Sequence, residues 1–180
     1  MKKRVLAGVA CAMFISSVGL AAPVINLEKG ESLAGYTWSR LDFEGDKENF
    51  NGLFLQSAVG DKFILGIDYL KGSGIDFKET DIYGQYKFDQ NARLILGNRQ
   101  YKIGGYDENK LLYGIAANTQ LAENTLGYAS LLKDSLETDW KVGVAYEFTA
   151  NASLDLNYRY RDIDDGDSIK GFGLGLNYKF

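Results

Sequence analysis

Histidine is absent from all 180 residues, cysteine and proline occur once each, and past the N-terminal leader no apolar run could cross a membrane as a helix. Without histidine the chain lacks the side chain that ordinarily acts as acid or base near neutral pH. Cys11 falls in a stretch that reads as removable, so the rest of the chain has no disulfide and no thiolate metal site. Pro23 stands near the start, and beyond it nothing forbids backbone pairing in a β-ladder. An excess of positive charge is also lacking. Lys and Arg number 20 against 24 Asp and Glu, a net charge of −4. Nucleic acid requires a basic surface, so it is excluded as a partner.

Lys2, Lys3 and Arg4 precede an apolar run over residues 5–18, and Gly19-Leu20-Ala21 supplies a small-x-small cleavage pattern. This predicts a secretory signal over residues 1–21, cut after Ala21, and one domain over residues 22–180. The run is too short and wrongly flanked for a spanning helix. A lipoprotein leader would need Cys11 as the acylated residue. That leaves only residues 5–10 as the apolar run, with Gly8 where a bulky aliphatic residue is usual. Cleavage removes three basic residues and takes the net charge from −4 to −7.

From Ser32 to the end the hydropathy alternates with period two, the repeat of a strand whose successive side chains point to opposite faces. Phe172, Leu174, Leu176, Tyr178 and Phe180 alternate with Gly171, Gly173, Gly175, Asn177 and Lys179. Trp140, Val142, Val144, Tyr146 and Phe148 alternate with Lys141, Gly143, Ala145 and Glu147. Similar runs begin at Phe63, Asp81, Leu111 and Leu154. Weaker runs cover residues 33–43, 50–59, 92–101 and 125–133, where the two faces are harder to separate. Arg40 shares a face with Tyr36 and Trp38, which places it above an apolar band or beyond a bulge. Tight turns at Gly60-Asp61 and at residues 89–91, 122–124 and 149–151 alternate with mostly longer, more acidic connections at 44–49, 72–76, 102–109, 134–137 and 163–168. The pattern predicts an all-β, antiparallel up-and-down transmembrane barrel of about ten strands, or eight if two weak runs are loop.

Alternation alone does not say which face points inward. Gly, Ala and Asn crowd the non-apolar faces mid-strand, and a solvated outer face would favour Lys, Glu and Thr instead. A narrow lumen wants small residues. Aromatic residues cluster at strand ends. Phe63, Phe88, Phe148 and Phe180 lie near the tight turns, and Trp38, Tyr69, Trp140 and Tyr160 near the longer connections. Two aromatic girdles around an aliphatic band are the mark of a membrane barrel.

The last six residues, Gly175-Leu176-Asn177-Tyr178-Lys179-Phe180, resemble the C-terminal assembly signal of bacterial outer-membrane proteins, with Gly175, Tyr178 and Phe180 in the marked places. The polar residue usual two positions before that glycine is here Gly173. Over residues 32–180 the layout is similar to small OmpA- or OmpX-like barrels. The resemblance implies export to the bacterial outer membrane and insertion by the barrel-assembly machinery. It implies no particular activity, because this fold hosts pores, enzymes, adhesins and structural proteins.

Outer-membrane enzymes generally use histidine, and Ser130 and Ser153 have no evident activating partner, so no enzymatic role or cofactor is expected. The expected lumen charges are Asp68, Asp81, Lys87, Arg93, Arg99, Lys141, Glu147, Asp155, Arg159, Arg161 and Lys179. Cross-pairing would plug the lumen, because unpaired charge in a confined interior is costly. Alternatively Arg93, Arg99, Arg159 and Arg161 line a narrow path favouring anions. Around Asp162, Asp164, Asp165 and Asp167 the chain resembles the start of a calcium loop, but Gly173 stands where an EF-hand needs its twelfth-position Glu. A weak divalent site bridging to lipopolysaccharide is one reading, a solvated turn the other. The expected function is therefore structural, with membrane lipid and lipopolysaccharide as surroundings. A small porin-like channel and a cell-surface interaction protein are the alternatives.

Overall fold

The computed structural model describes residues 22–43, 45–164 and 166–180; the expected signal over residues 1–21 lies outside them. The described residues form ten strands: β1 (Ser32–Phe43), β2 (Asp46–Ala58), β3 (Phe63–Gly72), β4 (Phe77–Lys87), β5 (Ala92–Ile103), β6 (Tyr106–Ala122), β7 (Thr125–Lys133), β8 (Glu137–Glu147), β9 (Ala152–Ile163) and β10 (Ile169–Lys179). Each pairs antiparallel with its chain neighbours, and β10 returns to β1 to close a barrel. At the seam the Ser32 N–H donates to the Phe180 carbonyl at 2.7 Å and the Phe180 N–H to that of Ser32 at 2.9 Å. All four weak runs are strands in continuous ladders, so the barrel has ten strands and not eight.

The wall follows the alternation. On β10, Leu174, Leu176 and Tyr178 face out while Asn177 is buried, and on β8, Trp140, Val142 and Val144 face out while Lys141 and Ala145 are buried. The faces of β2 blur in sequence because both are partly apolar: Leu53 and Leu55 point outward, Phe54 and Ala58 inward. Arg40 is exposed, and its ladders to Phe172 and Asn49 run without a register shift, so it lies beyond the band and no bulge is needed. A shift does occur between Gln120 and Ala122 where β6 meets β7. Phe63, Phe88, Phe148 and Phe180 are exposed around the rim where Ser32 meets Phe180, and Trp38, Trp140 and Tyr160 toward the opposite rim. Tyr69 is half-buried.

The contrast between long and short connections is weaker than expected. The region 102–109 is not a loop: β5 and β6 continue to Ile103 and Tyr106 and join through Gly104-Gly105, at φ 54 and 93. Two successive left-handed residues make the tight hairpin turn whose twist suits flanking strands, and glycine adopts them without strain. The strand ends are polar because they pair in water. Gln100 donates to Asp107 at 2.9 Å, and Lys102 lies 3.3 Å from the same carboxylate. Residues 46–49 likewise belong to β2.

Inward glycines make room for large rings from the next strand. A Cβ on Gly143 would lie 2.6 Å from the Tyr128 ring, and one on Gly66 would enter the Tyr83 ring. This facing predicts opposite kinds of damage at adjacent positions. Val142→Arg places a charge in lipid and is expected to cost about 2–4 kcal/mol if near mid-depth, while Gly143→Ala overpacks the lumen and costs about 1–3 kcal/mol. Reversible urea unfolding in lipid vesicles measures both, and negligible effects at both sites would reverse the facing.

Candidate functional site

The lumen is the place where polar chemistry collects, and it is filled in three layers. In the layer nearest the rim where Ser32 meets Phe180, residues 22–31 run inside the barrel before the chain joins the wall at β1. Ala22, Val24, Ile25 and Leu27 are buried there. Ile25 and Leu27 pack with Leu33, Phe54 and Ile64, and Val24 with Tyr83, Ile95 and Leu112. Lumen side chains grip the segment's carbonyls. Lys87 donates to Leu27 at 2.9 Å, Arg93 to Ile25 at 3.2 Å, Asn118 to Val24 at 2.9 Å and Lys141 to Ala22 at 3.2 Å. The segment is fastened at the rim as well. Gly30 donates to the Ala58 carbonyl, and the Ala58 N–H to that of Glu31. Glu31 accepts the Glu28 N–H at 2.8 Å and lies 3.3 Å from Lys179. The Glu28 hydrogen bond, opposed by partial burial and aided by Lys179, holds the Glu31 carboxyl below its ordinary range.

The middle layer is ionic. Asp81 and Arg99 stand directly opposite in the β4–β5 ladder, and Arg99 grips both Asp81 oxygens through Nε and Nη2 at 2.8 Å each. Its Nη1 reaches across to Glu137 at 2.7 Å and Asp134 at 3.4 Å, and Glu79 lies 3.8 Å away. Tyr101 donates to Asp134 at 2.6 Å. Arg161 joins Asp139 at 3.4 Å and Glu137 at 3.6 Å, and Arg159 lies 3.5 Å from Asp139. Arg99, Arg161 and Glu137 are 0% exposed, so water does not screen these contacts as it would at a surface. The bidentate fork and its further acceptors offset part of the desolvation cost of the guanidinium. Toward the opposite rim a third layer is apolar: Leu41, Phe50, Leu70, Phe77, Ile163 and Ile169 pack as one cluster with Tyr101. The rings of Phe50 and Phe77 meet edge to face at 5.8 Å.

Most of the lumen charges expected from sequence face inward, but they do not act as one set. Asp81, Arg99, Arg159 and Arg161 belong to the ionic layer. Lys87, Arg93, Lys141 and Asp68 hold the N-terminal segment. Arg93 is therefore not part of a continuous arginine path: its acceptors are Ile25, Asn26 and Gln85. Asp155 accepts from the Tyr128 hydroxyl at 2.6 Å and from Asn157 at 2.6 Å. Glu147 is exposed and Lys179 half-buried, so both sit at the rim and line no closed interior. Asp162, Asp164 and Asp167 are exposed, Asp165 lies outside the described residues, and among the described residues no group of three acidic or other metal-binding side chains gathers to hold an ion. Tyr178 and Phe180 face outward, with ring centroids 6.3 Å apart, while Gly175 is buried on the other face.

Sequence reasoning missed Glu79, Asp134, Glu137 and Asp139. Three of them were legible by extending the alternation: Glu79 lies two residues before Asp81, and Asp139 and Glu137 two and four before Lys141. Reading residues 134–137 as a loop hid the start of β8. The inward run of residues 22–31 was missed as well, although Val24, Ile25 and Leu27 form an apolar group with no place in the strand pattern.

A closed barrel with an apolar outer belt and an ionic interior is an integral membrane protein of the strand-crossing class. The chain belongs to the outer membrane protein beta-barrel domain family, whose model matches residues 8–180. Its place is thus the bacterial outer membrane. No curated protein matches the chain by sequence. Similar solved structures include the N-terminal β-barrel domain of Pseudomonas aeruginosa OprF, at 13% identity over 86% of this chain and 100% of that one, TM-score 0.47. Neisserial surface protein A is 20% identical over 83% of this chain and 96% of its own, TM-score 0.39. The attachment invasion locus protein Ail of Yersinia pestis is 17% identical over 84% and 99%, TM-score 0.36.

Removing one member of the ionic layer strands the others. Arg99→Ala is expected to lower barrel stability by about 3–5 kcal/mol, read by urea unfolding in vesicles. A change under about 1 kcal/mol, the value of an exposed pair, would mean that water reaches this layer.

Proposed function

We propose that this protein is a structural barrel of the outer membrane whose lumen is closed by salt bridges and which carries out no catalysis. The observation that carries the reading is Arg99, fully buried on β5 and bonded both to Asp81 beside it and to Glu137 on β8, a strand that is not its neighbour. A bond of this kind spans the lumen and does not merely line it. Strand number supports the reading, since large aqueous channels begin at roughly sixteen strands. An apolar cluster of described residues packed between the charges and the opposite rim supports it too. Membrane lipid and lipopolysaccharide are the surroundings this surface fits. The exposed Tyr178 and Phe180 at the end of β10 suit recognition by the barrel-assembly machinery during insertion.

Single-channel recording on refolded protein in planar bilayers tests this reading, with folding confirmed by the mobility shift between boiled and unboiled samples. The folded protein is expected to give no discrete conductance. Reproducible steps from the unaltered protein would replace the structural reading with a small-solute channel, and neutralising Arg99, Arg159 and Arg161 would then change its ion preference. Deleting Phe180 is expected to lower the yield of folded protein in the outer membrane while leaving refolding in detergent intact; equal yields would remove Phe180 from assembly.

A further inference from the structure

The lumen treats residues 22–31 as a ligand with a defined polarity. Along the segment, cations and an amide meet carbonyl oxygens: Lys87 at Leu27, Arg93 at Ile25, Asn118 at Val24 and Lys141 at Ala22. At its inner end the polarity reverses. The Ala22 nitrogen lies 3.2 Å from Asp68 Oδ2, with Ala22 2% and Asp68 4% exposed. Tyr83 donates to the other Asp68 oxygen at 2.7 Å and in turn accepts from Gln56 at 2.9 Å, which fixes the carboxylate toward Ala22. Asp68 also stands directly opposite Asp81 in the β3–β4 ladder, and Asp81 is already committed to Arg99. A buried carboxylate beside another calls for positive charge; the Lys141 ammonium, held on the Ala22 carbonyl, acts on Asp68 only from beyond hydrogen-bond reach, and a neutral amide in direct contact supplies only one N–H. Pro23 has no N–H of its own and biases Ala22 toward an extended backbone, leaving the Ala22 nitrogen as the donor at that end.

We infer that the α-ammonium group of Ala22, released by cleavage after Ala21, is the cation in direct contact with Asp68, and that this bond anchors residues 22–31 as an internal strap closing the periplasmic half of the lumen. Cleavage is hydrolysis by a signal peptidase. The hydroxyl of water adds to the Ala21 carbonyl carbon, the C–N bond to Ala22 breaks, and the freed amine is mostly protonated at pH 7. Processing therefore creates the charge for which the lumen holds the counter-charge. The strap adjoins the ionic layer through Asp81 but does not depend on the lumen being non-conducting.

Two measurements test the strap. Intact-mass analysis of the protein purified from outer membranes is expected to place the first residue at Ala22; any other terminus overturns the inference. The refolded chain of residues 22–180 is then acetylated at neutral pH with N-hydroxysuccinimidyl acetate, and the N-terminal peptide is mapped by mass. Exposed Lys29, in the same segment, reports reagent access. Relative to the urea-unfolded chain, the folded α-amine is expected to react at least about tenfold more slowly while Lys29 does not. Asp68→Asn, with folding checked by gel mobility, is expected to restore most of the reactivity. A chain carrying one extra alanine before Ala22, refolded in the same way, moves the ammonium past the carboxylate and is expected to do the same if Asp68→Asn fails to fold. A folded α-amine as reactive as the unfolded one, or protection unchanged in both altered chains, overturns the inference. Because the readout is chemical, a conducting lumen would leave it standing, and a silent one would not support it.

Discussion

A guanidinium inside a ten-strand barrel has no solvent to fall back on, so its acceptors must come from the wall itself. Arg99 meets that demand with four carboxylates, and the register of the sheet delivers them. Asp81 arrives as its direct cross-strand partner, while Glu137 and Asp134 arrive from the β7–β8 end across the interior. A slip of one residue in the β4–β5 ladder would turn Arg99 or Asp81 toward lipid, where charge costs several kcal/mol. The buried ions thus penalise alternative registers of strands whose apolar outer residues discriminate poorly among them.

Around that layer the wall is shaped for filling. Tyr83 and Tyr128 each lie against a glycine on the neighbouring strand, and each spends its hydroxyl on a carboxylate, Asp68 and Asp155 respectively. The aromatic ring restores the packing that the glycine lacks. An apolar cluster lies at one end of that layer and the N-terminal segment at the other.

The barrel was readable because its outer belt obeys one rule, apolar residues at every second position over ten strands. The interior was less readable because it obeys three rules in turn. Phe54, Leu112 and Leu132 point inward around residues 22–31, and Leu41, Phe50 and Phe77 do so toward the other rim. Those inward apolar residues blurred the faces of β1, β2 and β7. The hairpin through Gly104-Gly105 was hidden for the opposite reason: its strands are polar on both sides once clear of the membrane, and polarity without alternation resembles a loop. Arg93 is buried in the lumen, but most of its partners were out of reach of the sequence, because Ile25 and Asn26 belong to a segment whose path no periodicity announces.

The segment's contacts also bear on the order of folding. Its acceptors and donors come from β3, β4, β5, β6 and β8, strands spread around much of the circumference, and its attachment at Ser32 adjoins the last residue of the chain across the seam. No single hairpin carries enough of the site to hold it. Contacts between residues 46 to 119 positions apart form late, after the loops between them have closed. Docking thus needs most of the wall in place, and a protease acting on an undocked N-terminal segment would distinguish a barrel that holds the segment from one that does not.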